Sequence, residues 1–503
     1  MTSSTSTAVE SLDPSVVWRF FAGIAAVPRP SKNEGRIRRY MLDLAARLGL
    51  SAREDAVGNI VIEVPATAGC ENAPVTILQG HLDMVAEKNS GTVHDFDNDP
   101  IHPIVDVDPA NGQQIVRADG TTLGADNGIG VALALAAATS PDVKHGPLEL
   151  LMTIDEEMGM TGAKALAPDS LRGRRMLNLD SEEDDAIYIG CAGGMDTNVL
   201  WDFKLQPTPG AFQVCRVAVS GLRGGHSGGD IHENRANAIK LLVRTLVAVD
   251  PKALRIATLS GGSKRNAIPR EASAVVCCRK MTVAALKKAA AAVRAEALAE
   301  SYEERVNIDV DAVVQEQPPP ATVAKDTVRL LEALSAFPSG VLGMHPKVEK
   351  LVQTSNNLAT IVPTKTDGDG GLHLNVGMLS RSSLPSLLHG VAAQIASIGR
   401  LAGATTIQQG GEYPGWEPRP DSLLLATCRR VYERMFNAAP KVLAIHAGLE
   451  CGIIGERLGG NLDTVSFGPN LKGAHSPDER CYVASVQKSW RFLKEVLAEL
   501  AKA

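Results

Sequence analysis

The chain has 503 residues, of which 44% are apolar, so it is long enough for two or more domains with sizeable cores. Its net charge is −6, from 51 basic and 57 acidic residues, which argues against nucleic acid as the main partner. The longest apolar runs, such as Ile129–Ala138, are too short to span a bilayer, so no membrane partner is expected.

The eight cysteines are scattered along the chain and form no Cys-x-x-Cys pair. In a chain of this length, that pattern is typical of reduced thiols in a cytosolic compartment. The first ten residues carry no basic stretch and no long apolar stretch, so no signal peptide is expected. The sequence therefore predicts a cytoplasmic protein.

Helical spacing of apolar residues predicts two helices in Ser11–Leu50, on either side of a proline-rich break at Val27–Ser31. A glycine-rich turn at Gly124–Gly130 leads into an alanine-rich segment, 127–139, that has the composition of a buried helix. Apolar stretches predict strands at 59–64, 75–80, 148–154, 175–180 and 186–191. Buried strands that alternate with helices predict an α/β sheet with helices on both faces.

The pattern changes near residue 195, where amphipathic strands begin to alternate with longer helices. The predicted strands are 213–220, 254–259, 271–279 and 306–315. The predicted helices are 232–248, 282–300, 326–336 and 383–400. A strand near residue 402, a loop rich in glycine and proline at Gly410–Pro418 and long helices complete the chain.

Imidazole and carboxylate side chains lie at the carboxyl ends of three of the predicted strands: His81 follows 75–80, Glu156 and Glu157 follow 148–154, and Asp180 ends 175–180. The carboxyl ends of parallel strands meet in a crevice at one edge of a sheet, so these side chains are expected to converge. Imidazole nitrogen and carboxylate oxygen suit Zn²⁺, and also Mn²⁺ or Co²⁺. The sequence thus offers ligands for two divalent metal ions and one further carboxylate that is free to act as a base.

More specific roles follow from spacing, each with a simpler alternative. Asp83 lies two residues beyond His81, on the same side of an extended segment, where it can fix the imidazole tautomer; a surface turn is the alternative. Glu157 can bind metal while Glu156 stays free as a base, although acids also favour the first turn of a solvated helix. Asp126, among glycines, can bridge two cations about 3.5–4 Å apart, or can cap a helix.

Three polar groups in the middle of the chain are candidate substrate contacts. His226 lies on a glycine-rich loop, Asn266 follows two cationic residues, and Arg381 ends a strand before a helix. Imidazole, amide and guanidinium groups can hold an oxyanion or a substrate carboxylate. For each of them alone, a solvated loop is the alternative.

Eight motifs follow one another along the chain: Gln79–Val85, Leu123–Gly130, Asp155–Met160, Leu179–Glu183, Gly224–Gly228, Arg265–Pro269, Gln353–Leu358 and Gly473–Glu479. Together they resemble those of the di-zinc exopeptidases of the aminoacylase and carboxypeptidase-G2 type, over nearly the whole chain. The resemblance implies an α/β catalytic domain with a mixed, mostly parallel sheet flanked by helices, formed by residues 1–194 and 403–503. It also implies an inserted α+β lid and dimerisation domain at 195–402.

The resemblance further implies which residues hold the metal ions. One zinc would be held by His81 and Asp180, and the other by Glu157 and His475. Asp126 would bridge the two together with a water molecule.

The same resemblance implies roles in catalysis and substrate binding. Asp83 would orient a ligand imidazole, and Glu156 would be the general base. His226 matches the family's lid histidine, which approaches the scissile carbonyl, in some members from the neighbouring subunit. Asn266 and Arg381 would contact a carboxylate or an oxyanion.

The expected function is metal-dependent hydrolysis of unblocked dipeptides, including carnosine-like Xaa-His substrates, in a homodimer formed through the inserted domain. The alternatives are an aminoacylase or related amidohydrolase that acts on N-acyl amino acids, and a non-catalytic peptide-binding protein on the same fold. Glu450 is added from the residues alone, because a dipeptidase must recognise a free α-ammonium group and a carboxylate in the C-terminal catalytic segment can do so. For Glu450, an exposed helix glutamate is the alternative.

Overall fold

The computed structural model describes residues 8–301, 303, 305–314, 317–346, 348–364, 370–446 and 448–502. The chain forms two compact units. The first unit comprises Met1–Gly190, Pro418–Ala444 and Glu450–Ala503, and the second comprises Cys191–Glu417 and Ile445–Leu449. The limits of these units differ from the predicted domain limits at 194/195 and 402/403. The predicted domain limits stay a prediction.

The first part of the first unit contains the elements expected there, together with short strands that the apolar pattern does not predict. Its helices are α1 (Ser15–Ala25), α2 (Gly35–Arg47), α3 (Ala125–Thr139) and α4 (Thr161–Ala165). Its strands are β1 (Ser51–Glu54), β2 (Ile60–Val64), β3 (Thr76–His81), β4 (Ile104–Val107), β5 (Gln114–Arg117), β6 (Leu148–Thr153), β7 (Arg175–Asn178) and β8 (Ala186–Cys191). The predicted strands and helices of this region are confirmed. Most residues of β1 are exposed, and β4 has half-buried and exposed residues but none that is fully buried.

The second unit follows in the chain. Its strands are β9 (Gly193–Lys204), β10 (Gln213–Ser220), β11 (Gly225–His226), β12 (Leu254–Gly261), β13 (Ala267–Ile268), β14 (Ala272–Cys278), β15 (Asn307–Val313), β16 (Gly340–Met344), β17 (Val352–Thr364), β18 (Gly371–Ser382) and β19 (Thr406–Tyr413). Its helices are α5 (Ala238–Val247), α6 (Lys280–Glu300), α7 (Ala324–Ala336) and α8 (Pro385–Leu401).

The helix predicted at 232–248 begins later than expected, at Ala238, so the predicted start is wrong. Asn234 has a φ of +53°, in the left-handed region, which a helix cannot continue through. The side chain of Asn237 accepts hydrogen bonds from the backbone N–H groups of Ile239 and Lys240, which makes Asn237 the cap of α5.

The last part of the chain returns to the first unit. Its strands are β20 (Lys441–Ile445), β21 (Asp463–Ser466), β22 (Leu471–Lys472) and β23 (Arg480–Tyr482). Its helices are α9 (Leu423–Phe436), α10 (Glu450–Arg457) and α11 (Val483–Leu500). Because β21 pairs in parallel with β7, the two ends of the chain fold together. None of the helices in the described part of the chain has the length and apolarity to cross a membrane.

The first unit is built on a mixed sheet with the strand order β1-β2-β6-β3-β7-β21-β8-β20. The pairings β6–β3, β3–β7 and β7–β21 at its centre are parallel, whereas β1–β2, β2–β6 and β21–β8 are antiparallel. One apolar core, from Val9 to Leu500, joins helices α1, α3, α9 and α11 to this sheet. The expected mixed sheet flanked by helices is thereby confirmed.

The second unit is built on an antiparallel sheet with the strand order β15-β10-β14-β12-β17-β18-β9-β19, and β16 is added at β17. Its helices share an apolar core with the sheet, from Val199 to Ile395. The long strands β17, β18 and β9 run side by side, so the residues at their ends are held in a fixed register.

Candidate metal centre

Three neighbouring parallel strands carry the predicted ligands to one edge of the first unit's sheet. Strand β3 ends in His81, β6 is followed by the segment 155–157, and β7 is followed by Asp180. In the parallel register His81 lies beside Thr153, the last residue of β6. Since the strands run in the same direction, the side chains that follow them emerge together.

Asp126 lies between two histidines that are far apart in the chain. Its Oδ1 is 3.1 Å from His81 Nε2, and its Oδ2 is 3.1 Å from His475 Nε2. Each imidazole has a second carboxylate: His81 Nε2 is 3.4 Å from Asp180 Oδ1, and His475 Nε2 is 2.9 Å from Glu157 Oε2. Asp126 is therefore shared by two similar sets of side chains.

Each set is compact enough to hold one metal ion, because its ligand atoms all lie within 4.8 Å of one another. The sets are His81 with Asp126 and Asp180, and Asp126 with Glu157 and His475. Both contain only imidazole nitrogen and carboxylate oxygen, which are ligands of Zn²⁺, Mn²⁺ and Co²⁺. Glu157 Oε1 is buried and has no hydrogen-bond partner among the described residues, an arrangement that is costly without a cation. The side chains fit a pair of divalent cations.

The two imidazoles carry positive charge beside these carboxylates. Hydrogen bonds with Asp126 and Glu157 raise the pKa of His475 to about 11. Burial opposes the charged form of His81, but the charge of Asp180 and the hydrogen bonds with carboxylates raise its pKa well above the usual value. Burial likewise opposes the ionisation of Asp126, yet the hydrogen bonds with both histidines hold its pKa far below the usual value. In the metal-free site the two imidazoles are therefore paired with carboxylates as imidazolium ions, whose protons a bound metal ion would replace.

Asp83 contacts both the first histidine and the segment that follows β6. Its Oδ1 is 3.4 Å from His81 Nδ1 and accepts a hydrogen bond from the backbone N–H of Glu156 at 3.0 Å. Its Oδ2 accepts from the backbone N–H of Glu157 at 3.2 Å and from the Ser31 hydroxyl at 2.7 Å. Against the effect of burial, these bonds lower the pKa of Asp83 far below the usual value. Asp83 thus positions a carboxylate segment as well as an imidazole.

Glu156 differs from its neighbours because its side chain forms no hydrogen bond with another described residue. Burial raises its pKa well above the usual value, against the charge of His81 and with the support of Asp180. A carboxylate with a raised pKa and no fixed partner is suited to accept and return a proton.

Two buried residues, to which no role is assigned from the sequence, fix the loop that carries Asp126. Glu479 accepts hydrogen bonds from the backbone N–H groups of Leu123, Gly124, Ala125 and Asp126, at 2.7, 3.0, 2.7 and 3.2 Å. The guanidinium of Arg29 donates to the carbonyl oxygens of Leu82 and Asp83, both at 2.8 Å, and to that of Gly124. The available signals were the position of Glu479 at the end of the Gly473–Glu479 motif and that of Arg29 in the proline-rich break Val27–Ser31.

Glu182 is a further carboxylate at the site that has no assigned role from the sequence. It follows Asp180 by two residues and is partly buried. Burial raises its pKa to about 8, with contributions from the charges of Asp126 and Asp180. The acidic Asp180–Glu183 motif thus supplies a second carboxylate in addition to the predicted ligand.

Glu450, the predicted ammonium contact, lies at the start of α10 and is only 1% exposed. Its Oε2 accepts hydrogen bonds from Gln79 Nε2 at 2.8 Å and from the Thr153 hydroxyl at 2.5 Å. Its Oε1 is buried and unpartnered among the described residues. The contacts of Glu450 are therefore with the strands below the ligands, and its contact with substrate stays a prediction.

The second unit holds the other three predicted residues. His226 and Asn266 lie close together, because His226 on β11 pairs with Ala267 and Ser227 N–H donates to Asn266 O at 2.8 Å. His226 Nδ1 accepts hydrogen bonds from the backbone N–H groups of Gly228 and Gly229, at 3.3 and 2.9 Å. Desolvation and the charge of Arg381 lower the pKa of His226, so the neutral ring carries its proton on Nε2.

Comparisons of the sequence place these observations among known proteins. The model of peptidase family M20/M25/M40 matches residues 77–499. The cytosol non-specific dipeptidase of Escherichia coli (strain K12) is 40% identical over 492 residues, which cover 97% of this chain and 98% of that protein.

The structure gives the same result. The crystal structure of the aminoacylhistidine dipeptidase from Vibrio alginolyticus is similar with a TM-score of 0.89 and 40% identity, over 98% of each chain. A tripeptidase from Staphylococcus aureus, at 14% identity and a TM-score of 0.59, covers 98% of this chain and 100% of its own and shows a shared fold. These findings confirm the resemblance that the eight motifs carry. The chain belongs to peptidase family M20/M25/M40.

Proposed function

We propose that this chain is a metal-dependent dipeptidase that hydrolyses unblocked dipeptides, including Xaa-His substrates of the carnosine type. One observation carries the proposal: Asp126 is shared by two imidazoles, each with a second carboxylate, beside the unpaired carboxylate of Glu156. The names of two relatives at 40% identity, both dipeptidases, support the substrate class.

Five residues would hold the metal ions. His81 and Asp180 would bind one divalent cation, Glu157 and His475 would bind the other, and Asp126 would bind both. Zn²⁺ suits this nitrogen and oxygen ligand set best, and Mn²⁺ and Co²⁺ suit it too. Bound in this way, the two cations would supply Lewis-acid activation of a water molecule and of the substrate carbonyl.

Glu156 acts as the general base. It takes a proton from the attacking water and later gives that proton to the leaving amine, and its raised pKa suits both transfers. Asp83 is a positioning residue, because it accepts the backbone N–H groups of Glu156 and Glu157 and lies against the imidazole of His81.

The second unit would supply the substrate contacts. His226 donates its Nε2–H to the carbonyl oxygen of the scissile bond, because its Nδ1 is already an acceptor of two backbone hydrogen bonds. Asn266 and Arg381 would hold the oxyanion and the substrate carboxylate. Glu450 stays the candidate for the α-ammonium group that was predicted from the sequence.

The expected setting is a cytosolic homodimer that forms through the second unit and takes small peptides, with neither nucleic acid nor membrane as a partner. No disulfide joins the eight cysteines, all of which lie in the described part of the chain, as is common for cytosolic proteins. The name of the Escherichia coli relative supports the same compartment. The activity of mixed dimers would show whether His226 acts in its own chain or in a neighbouring subunit.

The proposal is tested by hydrolysis of a dipeptide panel with zinc-loaded protein. We expect activity that a chelator removes, and a decrease in kcat of about 10²–10⁴-fold in Glu156→Gln at unchanged metal content. Glu71→Gln, in an exposed loop, is the matched control and keeps full activity. Faster hydrolysis of N-acyl amino acids than of dipeptides would identify an aminoacylase instead. Dipeptide binding without any hydrolysis would identify a peptide-binding protein.

A further inference from the structure

Arg381, Gly194 and Tyr413 lie in one row across three adjacent strands of the second unit. Arg381 on β18 pairs with Gly194 on β9, and Gly194 also pairs with Tyr413 on β19. Residues that are directly paired across strands project their side chains from the same face of the sheet. The outer two side chains of this row therefore share one face, on either side of a residue that has no side chain.

The glycine allows the two outer side chains to meet above the middle strand. Arg381 Nη1 donates a hydrogen bond to the Tyr413 hydroxyl at 2.7 Å. A Cβ added to Gly194 would lie 2.5 Å from the Tyr413 hydroxyl oxygen and 2.6 Å from Cζ, closer than atoms can approach. Gly448 leaves room on another side of the ring, because its Cβ would lie 2.9 Å from Tyr413 Cε2. Two glycines from distant parts of the chain thus make space for the tyrosine.

Arg381 is buried, and no described residue serves as its counter-ion. It is 5% exposed, and no carboxylate in the described part of the chain lies within 4.0 Å of its guanidinium. Its Nε is buried, and neither Nε nor Nη2 forms a hydrogen bond with a described residue. The nearby carboxylate of Asp196 has Arg265 as its ion-pair partner, at 3.9 Å. A buried guanidinium is strongly unfavourable unless an anion pairs with it, so this group indicates an anionic ligand.

The free edge of the guanidinium specifies the shape of that anion. Because Nη1 is taken by Tyr413, the edge formed by Nε and Nη2 stays open, and two parallel N–H donors match the two oxygens of a carboxylate. Two imidazoles, those of His226 and His446, lie near Arg381. Burial and the charge of Arg381 lower the pKa of both, that of His446 to about 3, so Arg381 is the charged group among the three.

We propose that Tyr413 is a specificity-determining residue that holds Arg381 in position to bind the free C-terminal carboxylate of the dipeptide. This inference rests on the proposed dipeptidase function. The tyrosine hydroxyl accepts from Nη1 and so fixes the orientation of the guanidinium, which keeps the edge formed by Nε and Nη2 free for the carboxylate. Gly194 is required because any side chain there would displace the ring.

The experiment compares one dipeptide with its C-terminal amide in the zinc-loaded protein. Tyr413→Phe and Gly194→Ala are expected to raise the KM for the dipeptide by about 10- to 100-fold, the loss expected for a hydrogen bond that serves a charged group. The kcat for the dipeptide and the kinetics for the amide are expected to change by less than about threefold. Gly410→Ala, on the same strand as Tyr413, is the matched control, because its added Cβ meets nothing within 4 Å.

The outcomes separate this inference from the proposed function. Preference for the free carboxylate in the wild type, lost in both variants and kept in Gly410→Ala, supports the inference. It is overturned if the variants keep the wild-type preference, if Gly410→Ala loses it equally, or if the wild type hydrolyses the amide as well as the dipeptide. If the wild type hydrolyses neither peptide, the proposed dipeptidase function itself is refuted. Tyr413→Phe decides alone if Gly194→Ala does not fold.

Discussion

The buried carboxylate of Glu450 accepts a hydrogen bond from the side-chain amide of Gln79 at 2.8 Å. Gln79 lies in β3, two residues before His81, and is itself fully buried. The hydroxyl of Thr153, at the end of β6, donates to the same oxygen at 2.5 Å. Glu450 on α10 therefore joins the ends of two ligand-bearing strands.

The hydrogen bonds continue across the sheet below the candidate ligands. Gln79 Oε1 accepts from Asn178 Nδ2, and Asn178 Oδ1 accepts from the Ser466 hydroxyl. The hydroxyls of Ser466 and Ser181 are 2.6 Å apart. Asn178 is the last residue of β7 and lies two residues before Asp180. A continuous buried network thus fixes the strand ends from which the metal-binding side chains emerge, as expected of groups that orient ligands from behind.

Glu450→Gln is expected to change how the stability of the metal-free protein depends on pH. Burial raises the pKa of Glu450 from an ordinary value of 4.5 to about 8. Its contribution to folding is therefore fully present below pH 4.5 and is lost as the pH rises through about 8. As the pH rises from about 5 to about 9, the free energy of unfolding should decrease more in the wild type than in Glu450→Gln. Urea denaturation at each pH measures this difference.

The matched control is Glu456→Gln, an exposed position on the same helix, which should follow the wild-type curve. Parallel curves for the wild type and Glu450→Gln would contradict the prediction. The role of Glu450 in ammonium binding has a separate readout, since it requires Glu450→Gln to raise the KM for dipeptides in the metal-loaded protein. An unchanged KM would leave Glu450 as a support of the strands alone.

Glu479→Gln is expected to destabilise the protein and to weaken metal binding. The carboxylate accepts four backbone N–H groups of the loop that ends in Asp126, and an amide has only one oxygen to replace its two. Leaving buried donors without acceptors costs about 1–3 kcal/mol each, so the two N–H groups that lose their acceptor should lower the free energy of unfolding by about 2–6 kcal/mol. Metal affinity should decrease as well, because the loop positions the shared ligand.

Chemical denaturation measures the first effect, and metal titration measures the second. Glu495→Gln provides the control, because this half-exposed residue pairs with Arg434 at the surface and should contribute no more than about 0.5 kcal/mol. Equal stability of the two variants would show that the four hydrogen bonds of Glu479 do not hold the loop.

The sequence could predict the parts of the site that depend on local pattern. Apolar strands followed by an imidazole or a carboxylate predict where a crevice forms, and the structure brings His81, Asp126, Glu157, Asp180 and His475 together there. The α/β sheet follows from the alternation of strands and helices, whereas its mixed strand directions were implied only by the resemblance of the motifs. Local pattern was sufficient for His81, Glu157 and Asp180, because each lies at or just beyond the end of a buried strand. It left Asp126 open between a bridging ligand and a helix cap, and His475 was implied only by the resemblance of the motifs.

Features that depend on tertiary contacts could not be predicted in this way. Glu479 binds backbone N–H groups more than 350 residues earlier in the chain, and no spacing rule connects the two segments. The burial of Glu450 depends on where α10 lies against β3 and β6, so its neighbours in the sequence left open whether this helix glutamate is exposed. The start of α5 was misplaced because Asn237 caps the helix after an Asn234 turn, inside a segment of helical composition.

Metal binding is expected to release protons near neutral pH. An imidazole must lose its proton before its nitrogen can bind a metal ion. Hydrogen bonds with Asp126 and Glu157 raise the pKa of His475 to about 11, and the charge of Asp180 helps to raise that of His81 well above its usual value, so both rings are protonated in the metal-free protein. Loading with two cations should therefore release about two protons or more from the site.

Calorimetric titration of zinc into the metal-free protein, in buffers of different ionisation enthalpy, measures the number of protons released. Because protons are products of binding, the apparent metal affinity should increase with pH over the range in which both imidazoles are protonated. His475→Gln should release about one proton fewer than the wild type and bind one metal ion more weakly. Two results would contradict this prediction: binding without proton release, and an affinity that does not depend on pH. Either would mean that the two histidines do not exchange their protons for metal ions. The imidazoles would then share the Asp126 carboxylate for a different reason.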